Sequence, residues 1–386
     1  MKILFLLSGT NSLDGSTKSF LNLLNYLECK NIEAHVVCPN RDGVYKILTN
    51  RNIPTYYIKY RFSTPPIARG IMNLVKYIPR LLLRNVFNAT ALSKLNKIVE
   101  IVAPDIIHSN SSVIKVGYDV ARSFQIPHVF HIREYGDLDF NLNTSYITNL
   151  VKEGKSYSIS ITKDIARHKG IMGSPYNTVI YNGIVNSNKL RLNEKKEKYF
   201  LYAGRIEPTK GIADLVDAYI AYNKLANRKF KLLIAGGIPK AYLNYCEKLR
   251  DKIAQSNIAE SVIWMGDVEN LDEYFYNAAA VIVPSVNEGF GRVMVEAMAN
   301  GCVCIARNTG GSKEQLDNGL QICKEEIAYR FSSIQELVQS MLMISEESTV
   351  PVKMIENSQR VIQTLYSQEK YGQQVLTLYK SIAEII

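Results

Sequence analysis

The strongest constraint on how this chain can fold is a rhythm. Short apolar runs alternate with amphipathic stretches, and the alternation is interrupted once, near the middle. KILFLLS, EAHVVCP, PTYYIKY, PDIIHSN and PHVFHIR read as strands, and Thr17 to Cys29 reads as a helix. A second series follows, with KYFLYAGR, KFKLLIAGG, VIWMGDV, AVIVPS and CVCIAR as strands and Ile212 to Leu225 as an amphipathic helix. Strands separated by helix-length stretches build βαβ units, and their strands pair in parallel. The length of 386 residues suits two domains. Between the series lies the polar, charged stretch NGIVNSNKLRLNEKKEKY. It reads as a long surface loop or as an interdomain linker, and the fresh strand–loop–helix cycle directly after it favours the linker. The expected domains are residues 1–185 and 186–367. Two such domains would hold a ligand in a cleft outside the carboxyl ends of their strands.

Several classes fall away. No apolar run approaches the roughly 18 residues that a spanning helix needs. MKILFLLSG imitates a signal peptide, but its apolar run is too short and it reads better as a buried first strand. The six cysteines form no C-x-x-C pair and no disulfide framework, which points to a reducing cytoplasm. Cys302 and Cys304 read as small apolar strand residues.

Two segments carry chemistry. GRIEPTKG, Gly204 to Gly211, follows a strand and leads into a helix, placing Arg205 and Lys210 five apart in one loop. Arginine offers a planar fork to phosphate oxygens, lysine a point charge, and the helix N-terminus a favourable dipole. The alternative is a solvated basic turn. NEGFGRVMVEAMANG, Asn287 to Gly301, follows AVIVPS. Glu288 falls in its loop and Glu296 eight positions on, in a helix. Gly289 and Gly291 flank Phe290 and permit close backbone approach to a ligand. The N–H groups from Phe290 through Arg292 to Val293 stand at the helix start, where an anion can bind. Taken singly, Glu288 could merely favour the positive helix end, and Glu296 could be an exposed helix residue.

On these residues the sequence resembles retaining glycosyltransferase family 4, the group 1 glycosyltransferases. The G-R-x-x-x-x-K-G and E-G-F-G-x-x-x-x-E-A patterns are both intact. IYNGI (Ile180 to Ile184), LIAGG (Leu233 to Gly237), WMGDV (Trp264 to Val268) and TGGSKE (Thr309 to Glu314) add to the likeness, which is densest over residues 180–315. The resemblance implies the GT-B fold: two Rossmann-like domains, with a C-terminal helix, about residues 368–386, crossing back to the first. It implies that Arg205 and Lys210 clamp the donor's diphosphate and balance charge on the leaving nucleotide. It implies that Glu296 accepts the ribose hydroxyls, Glu288 binds the donor sugar, the backbone at Phe290 to Val293 covers phosphate or sugar, and Val268 lies near the base. Asn182 and Gly183 would form a turn at the hinge side of the cleft.

In the first domain, SGTNSLDGST opens a helix without G-x-G-x-x-G, so no dinucleotide cofactor is indicated. The resemblance brings Gly15 and Ser16 near the diphosphate and the acceptor, although Asp14-Gly15 stands where the family often has two adjacent glycines. His131, ending an apolar strand, is placed where a side chain can emerge into the cleft. The resemblance has it meet the donor sugar or organise the acceptor; a satisfied structural histidine is the alternative. His108 reads as structural. Asp137-Leu138-Asp139 matches D-x-D, the metal–nucleotide signature of a different glycosyltransferase fold. Its loop position and the second-domain motifs mark it as coincidence, so no obligatory metal is expected and no cofactor besides the donor substrate.

Charge adds one more reading. Of the net +10, a large share is local: residues 59–99 carry Lys59, Arg61, Arg69, Lys76, Arg80, Arg84, Lys94 and Lys97 and no acid. Lys76, Arg80 and Arg84 share one face if the segment is helical, with Ile71, Leu74, Val75, Ile78, Leu81 and Leu82 as an apolar side and Pro79 as a kink or divider. A basic amphipathic helix suits an anionic membrane surface, or is an ordinary surface helix. No nucleic-acid module accompanies the charge. The combined expectation is a cytoplasmic retaining glycosyltransferase, peripheral on the inner face of the membrane. It would move a sugar from a UDP- or GDP-sugar to a hydroxyl of a saccharide or lipid-linked acceptor, in cell-surface polysaccharide assembly. A nucleotide-sugar epimerase on the same fold and a non-catalytic membrane-bound nucleotide-sugar binder are the alternatives.

Overall fold

A computed structural model describes residues 1–12, 14–63, 77–139, 142–347 and 349–384, with backbone only at 77 and 78. The chain divides into two compact units, one of residues 1–183 with 368–386, the other of residues 184–367.

The first unit is built on seven strands: β1 (Lys2–Leu6), β2 (Glu33–Cys38), β3 (Thr55–Tyr57), β4 (Ile106–Ser109), β5 (His128–Ile132), β6 (Tyr157–Ser160) and β7 (Asn177–Val179). They pair in parallel in the order β3-β2-β1-β4-β5-β6-β7. The strand order reverses between β1 and β4, the place where doubly wound sheets leave a crevice at their carboxyl edge. The second unit repeats this with β8 (Glu197–Ala203), β9 (Lys231–Ala235), β10 (Val262–Gly266), β11 (Ala278–Val283), β12 (Cys304–Arg307) and β13 (Tyr329–Phe331), ordered β10-β9-β8-β11-β12-β13 and again parallel. Its reversal lies between β8 and β11. No tandem repeat is visible in the sequence, so the shared topology comes from the βα rhythm alone.

The apolar runs became strands because both faces of each sheet are covered, which allows continuous hydrophobic runs rather than alternation. Ile3, Leu4, Phe5 and Leu6 are all fully buried. Strands β6 and β7 were not anticipated, because YSIS and NTV are too polar to read as core. The structure accounts for their hydroxyls: Ser158 Oγ and Ser160 Oγ both donate to Asn177 Oδ1, at 2.9 and 2.8 Å. A buried hydroxyl is tolerated where it finds such a partner.

The C-terminal helix Gln368–Ala383 belongs to the first unit. It lays Tyr371, Val375, Leu376, Tyr379 and Ile382 into the same core as Phe20, Leu23, Leu24 and Leu27 of the helix Gly15–Glu28. The stretch after Gly183 is laid down on the second unit. Arg191 N donates to Ala299 O at 2.8 Å, Gln359 Nε2 donates to Arg191 O at 2.6 Å, and Val185 bridges Ser367 in parallel.

The basic segment is corrected in part. Residues 77–102 form one helix, with Pro79 near the start of the described span. Its core face is Ala91, Leu95, Val99 and Val102, whereas Leu82, Leu83 and Val86 are exposed. Arg84 is turned onto the Ser63 carbonyl and Asn85 Oδ1. Arg69, Lys76, Ile71, Leu74 and Val75 lie outside the described residues, as does the Ile78 side chain. No helix among the described residues is long and apolar enough to cross a membrane.

Gly372 sits where the C-terminal helix meets the Gly15–Glu28 helix, and a Cβ there would overlap the Tyr26 ring. Helix propensity favours alanine by about 1 kcal/mol, but overpacking of this kind costs about 1–3 kcal/mol. Gly372→Ala is therefore expected to lower the melting temperature of the full chain; an unchanged or raised Tm would show that the Tyr26 ring yields freely.

Candidate active site

At the carboxyl edge of the second sheet the loops after β8, β9 and β11 are pressed together. Gly211 has φ +66° and caps the helix Ile212–Leu225; a side chain there would overlap the Pro284 carbonyl oxygen. Gly236, after β9, is packed as closely against the Gly204 carbonyl. Only glycine allows both approaches. Val286 N donates to Thr209 O at 3.0 Å and Ile206 N to Gly237 O at 3.0 Å, which locks the loops in register.

This contact brings Lys210 to Glu288, 78 residues away in sequence. Lys210 Nζ donates to Glu288 Oε2 at 2.9 Å, and the side chains are 24% and 17% exposed. Burial pushes the Glu288 carboxyl up; the Lys210 ammonium and the hydrogen bonds to Glu288 outweigh it, so the net shift is downward. Glu288 is thus an ionised carboxylate held by a cation in a half-enclosed site. Arg205 is different. Its side chain is 62% exposed, and its one ion pair among the described residues, to Glu207 Oε1, is long at 3.3 Å. The same Glu207 oxygen accepts from Thr209 Oγ1 at 3.0 Å, and Tyr202 Oη donates to Arg205 O at 2.8 Å, so the backbone is fixed while the guanidinium remains available.

The E-G-F-G segment turns into the helix Arg292–Ala299. Glu288 Oε1 accepts from Gly291 N at 3.2 Å, so that N–H is already engaged by the protein's own carboxylate. Glu288 O accepts from Gly311 N at 2.6 Å, tying the loop to the start of the helix Gly310–Cys323. Phe290 is buried edge-on against Tyr366, with ring centroids 5.6 Å apart. Glu296 pairs with Arg292 at 3.0 Å, one helical turn away. Val268 is half-buried just beyond β10. Arg205, Lys210, Glu288, Gly289, Phe290, Gly291, Arg292, Val293 and Glu296 therefore belong to two adjoining loops and one helix start of a single unit.

Gly15, Ser16 and His131 belong to the first unit. Gly15 and Ser16 are the first two residues of their helix. His131 does not emerge at its strand end. It is fully buried, its Nδ1 lying 3.2 Å from His108 Nε2 and 3.3 Å from Arg133, while its Nε2 is sealed with no partner among the described residues. Burial, then Arg133 and His108, hold it well below the ordinary histidine pKa, hence neutral. The C-terminal helix explains the difference: Tyr371 packs against the His131 ring and Tyr379 against that of His108, with Tyr379 Oη 2.6 Å from His108 Nδ1. The D-x-D carboxylates serve locally. Asp137 pairs with His168 at 2.8 Å, and Asp139 accepts from Tyr135 N at 2.8 Å and Gly136 N at 2.7 Å. Among the described residues no three His, Cys, Asp or Glu side chains are grouped to hold a metal.

Sequence reading missed Arg133. It donates to Asn182 Oδ1 at 2.7 Å, Asn110 Oδ1 at 2.9 Å and Tyr371 Oη at 3.2 Å, and so gathers three strand or helix ends of the first unit. The available signal was an Arg-Glu pair directly after an apolar strand.

Comparison with known proteins places this geometry. The family described as glycosyl transferases group 1 matches residues 186–361, nearly all of the second unit. The second unit thus carries a group 1 glycosyl transferase domain. An uncharacterized glycosyltransferase of Methanocaldococcus jannaschii is 25% identical over 312 residues, covering 79% of this chain and 78% of that one. The O-antigen chain mannosyltransferase RfbU of Salmonella typhimurium is 29% identical over 144 residues, 37% of this chain and 38% of its own. The chain also shares its fold with Anabaena HepE, crystallised with UDP and glucose: TM-score 0.77 at 20% identity, covering 99% of this chain and 100% of that one. Its two parallel α/β units are of the GT-B type.

Removing Lys210 would leave Glu288 charged and half-enclosed. For fully buried pairs such a loss costs about 3–5 kcal/mol; partial exposure here reduces it to about 2 kcal/mol. Lys210→Met is expected to be destabilised by that amount near neutral pH in denaturant titrations. Because the folded Glu288 pKa is depressed, its contribution is full above the unfolded carboxylate value and fades as pH falls through the folded one. The gap between wild type and variant should therefore narrow in acid, and a gap independent of pH would contradict the pairing.

Proposed function

We propose that this chain moves a sugar, with retention of configuration, from a UDP- or GDP-sugar to an acceptor hydroxyl. The observation that carries this reading is the half-enclosed Lys210–Glu288 pair, with the largely exposed Arg205 guanidinium in the same loop as Lys210, at the carboxyl edge of a doubly wound sheet. Arg205 and Lys210 bind the diphosphate; lysine has three donors, so it can keep Glu288 and still reach phosphate. Glu288 binds hydroxyls of the donor sugar, and Glu296, leaving Arg292, accepts from the ribose. The backbone from Gly289 to Val293 approaches the phosphate or sugar, Val268 approaches the base, and Gly15 and Ser16 contribute from the first unit. The bond from the anomeric carbon to the phosphate oxygen breaks, with its electrons going to phosphate. The acceptor oxygen bonds to the anomeric carbon on the same face, and its proton passes to the departing phosphate oxygen. The two cations stabilise the leaving group electrostatically, with no metal or cofactor assigned a role.

The acceptor is proposed to be a saccharide, lipid-linked and presented at an anionic membrane on the cytoplasmic side. Exposed Leu82, Leu83 and Val86 on a helix within the basic 59–99 segment support a membrane-facing surface, and all six cysteines unpaired support a reducing compartment. Similarity to an O-antigen chain mannosyltransferase and to the lipopolysaccharide core biosynthesis mannosyltransferase LpsB of Rhizobium meliloti (25% identity over 154 residues, 37% of this chain and 44% of that one) supports polysaccharide assembly.

Titration with UDP and GDP is the direct test. A nucleotide at 100 times its Kd should stabilise the fold by about 2.7 kcal/mol, read as a rise in Tm, and Arg205→Ala should lose most of that rise. If neither nucleotide binds, or the variant responds like wild type, the phosphate clamp is wrong. Product analysis without acceptor then separates transfer from epimerisation. For the membrane surface, co-sedimentation with phosphatidylglycerol vesicles should exceed that with phosphatidylcholine vesicles, and the triple change Leu82→Ser, Leu83→Ser, Val86→Ser should abolish the excess. Equal binding to both vesicle types would sink this part.

A further inference from the structure

We propose that Glu134 is an acceptor-binding residue of the first unit, its Oε2 taking the hydrogen bond of a hydroxyl group on a neutral saccharide. This rests on the transferase reading above.

Glu134 lies two residues beyond β5, and Asn110–Ser112 directly follow the neighbouring parallel strand β4. Both loops therefore occupy the carboxyl edge of the sheet, where doubly wound folds bind ligands. Glu134 is only 6% exposed. Ser111 Oγ at 2.7 Å, Ser112 N at 2.6 Å and Ser112 Oγ at 2.6 Å all donate to one oxygen, Oε1. An oxygen with two lone pairs has nothing further to accept with. Oε2 takes no donor among the described residues, and it is not among the sealed orphan atoms, as His131 Nε2 is.

Such an arrangement is costly as pure structure. A buried carboxylate with no salt bridge among the described residues has lost most of its hydration, and here burial raises the carboxyl pKa despite the serine hydrogen bonds. A side chain needed only to tether the Ser111–Ser112 loop could do so as a neutral amide. The loop is tethered elsewhere as well, by Tyr146 Oη donating to Ser112 O at 3.3 Å. What the carboxylate adds is a second, uncommitted acceptor oxygen held rigidly by the first.

The surroundings select the ligand. In the ionised form Oε2 can only accept, so the ligand must donate from a hydroxyl or an ammonium. The Lys169 ammonium, held by the Tyr135 carbonyl and Thr144 Oγ1, already acts on Glu134, which disfavours a second cation. Asp139 and Glu134 together repel phosphate and carboxylate. A neutral hydroxyl remains, and a sugar supplies it.

The test uses the full chain as wild type, Glu134→Gln and Glu134→Asp. The probes are the methyl α- and β-glycosides of glucose, galactose and mannose, followed by saturation-transfer NMR with and without UDP or GDP. The glutamine amide can keep its oxygen on the two serines but presents N–H donors where Oε2 accepted. Aspartate keeps the charge but withdraws it by one methylene, which covers the case of Glu134→Gln failing to fold. Wild type is expected to bind at least one glycoside, and both variants to bind it at least about tenfold more weakly, the value of a charge-assisted hydrogen bond. Nucleotide affinity should stay within about twofold, a split that a general loss of structure would not produce. Unchanged glycoside binding in the variants overturns the proposal, as does a wild type that binds no glycoside. Because glycosides are read with and without nucleotide, a wild type that binds glycoside but neither nucleotide counts against the transferase reading and not against Glu134.

Discussion

The second unit depends on how closely its loops approach one another. Gly211 lies against the Pro284 carbonyl and Gly236 against the Gly204 carbonyl, at separations that no side chain permits. From that crowding follows the meeting of Lys210 with Glu288, and from the meeting follows an ionised carboxylate, with the exposed Arg205 guanidinium in the same loop as Lys210. Packing here is a means of placing charge. The sheet supplies rigid strand ends, the glycines let the loops interlock, and the cations are left where the dipole of the Ile212–Leu225 helix also favours an anion.

The first unit solves a different problem. One face of its sheet is covered by the Gly15–Glu28 and Gln368–Ala383 helices, and Tyr371 and Tyr379 of the latter meet Arg133, His131 and His108. The histidines are driven neutral by burial, and Arg133 shares its donors among Asn110, Asn182 and Tyr371. One guanidinium thereby ties together residues that follow β4, β5 and β7 and a helix from the far end of the chain. Beside it, Glu134 is held by serines rather than by a cation. The two units thus share a strand order but carry unlike edges: one cationic with a paired carboxylate, the other with a buried carboxylate and neutral imidazoles.

Much of this was legible in order of sequence. Apolar runs named ten of the thirteen strands in outline, and the Ile212–Leu225 helix was bounded correctly. Strands β6, β7 and β13 escaped because they are short, and because the Ser158 and Ser160 hydroxyls hide a core role that only Asn177 on the neighbouring strand reveals. In the site, GRIEPTKG and NEGFG stood out because each is a polar loop between a strand and a helix. That Gly291 N is engaged by Glu288, and Glu296 by Arg292, was not legible, since each depends on side-chain direction after the turn is formed.

The sequence by itself determined the parts that rest on local periodicity: strand against helix, parallel pairing, two cycles of βα units, and the polar loops at strand ends. Those follow from which neighbours along the chain are apolar. Only the tertiary structure decided that His131 is enclosed rather than exposed, that Arg84 turns onto Ser63, and that Leu82, Leu83 and Val86 face solvent. It alone decided that Lys210 pairs with Glu288 and that one oxygen of Glu134 is saturated while the other is not. The reason is physical: burial and pairing are set by groups distant in the chain, such as Tyr371 for Arg133, and a side chain's charge and hydrogen bonds take their value from that environment.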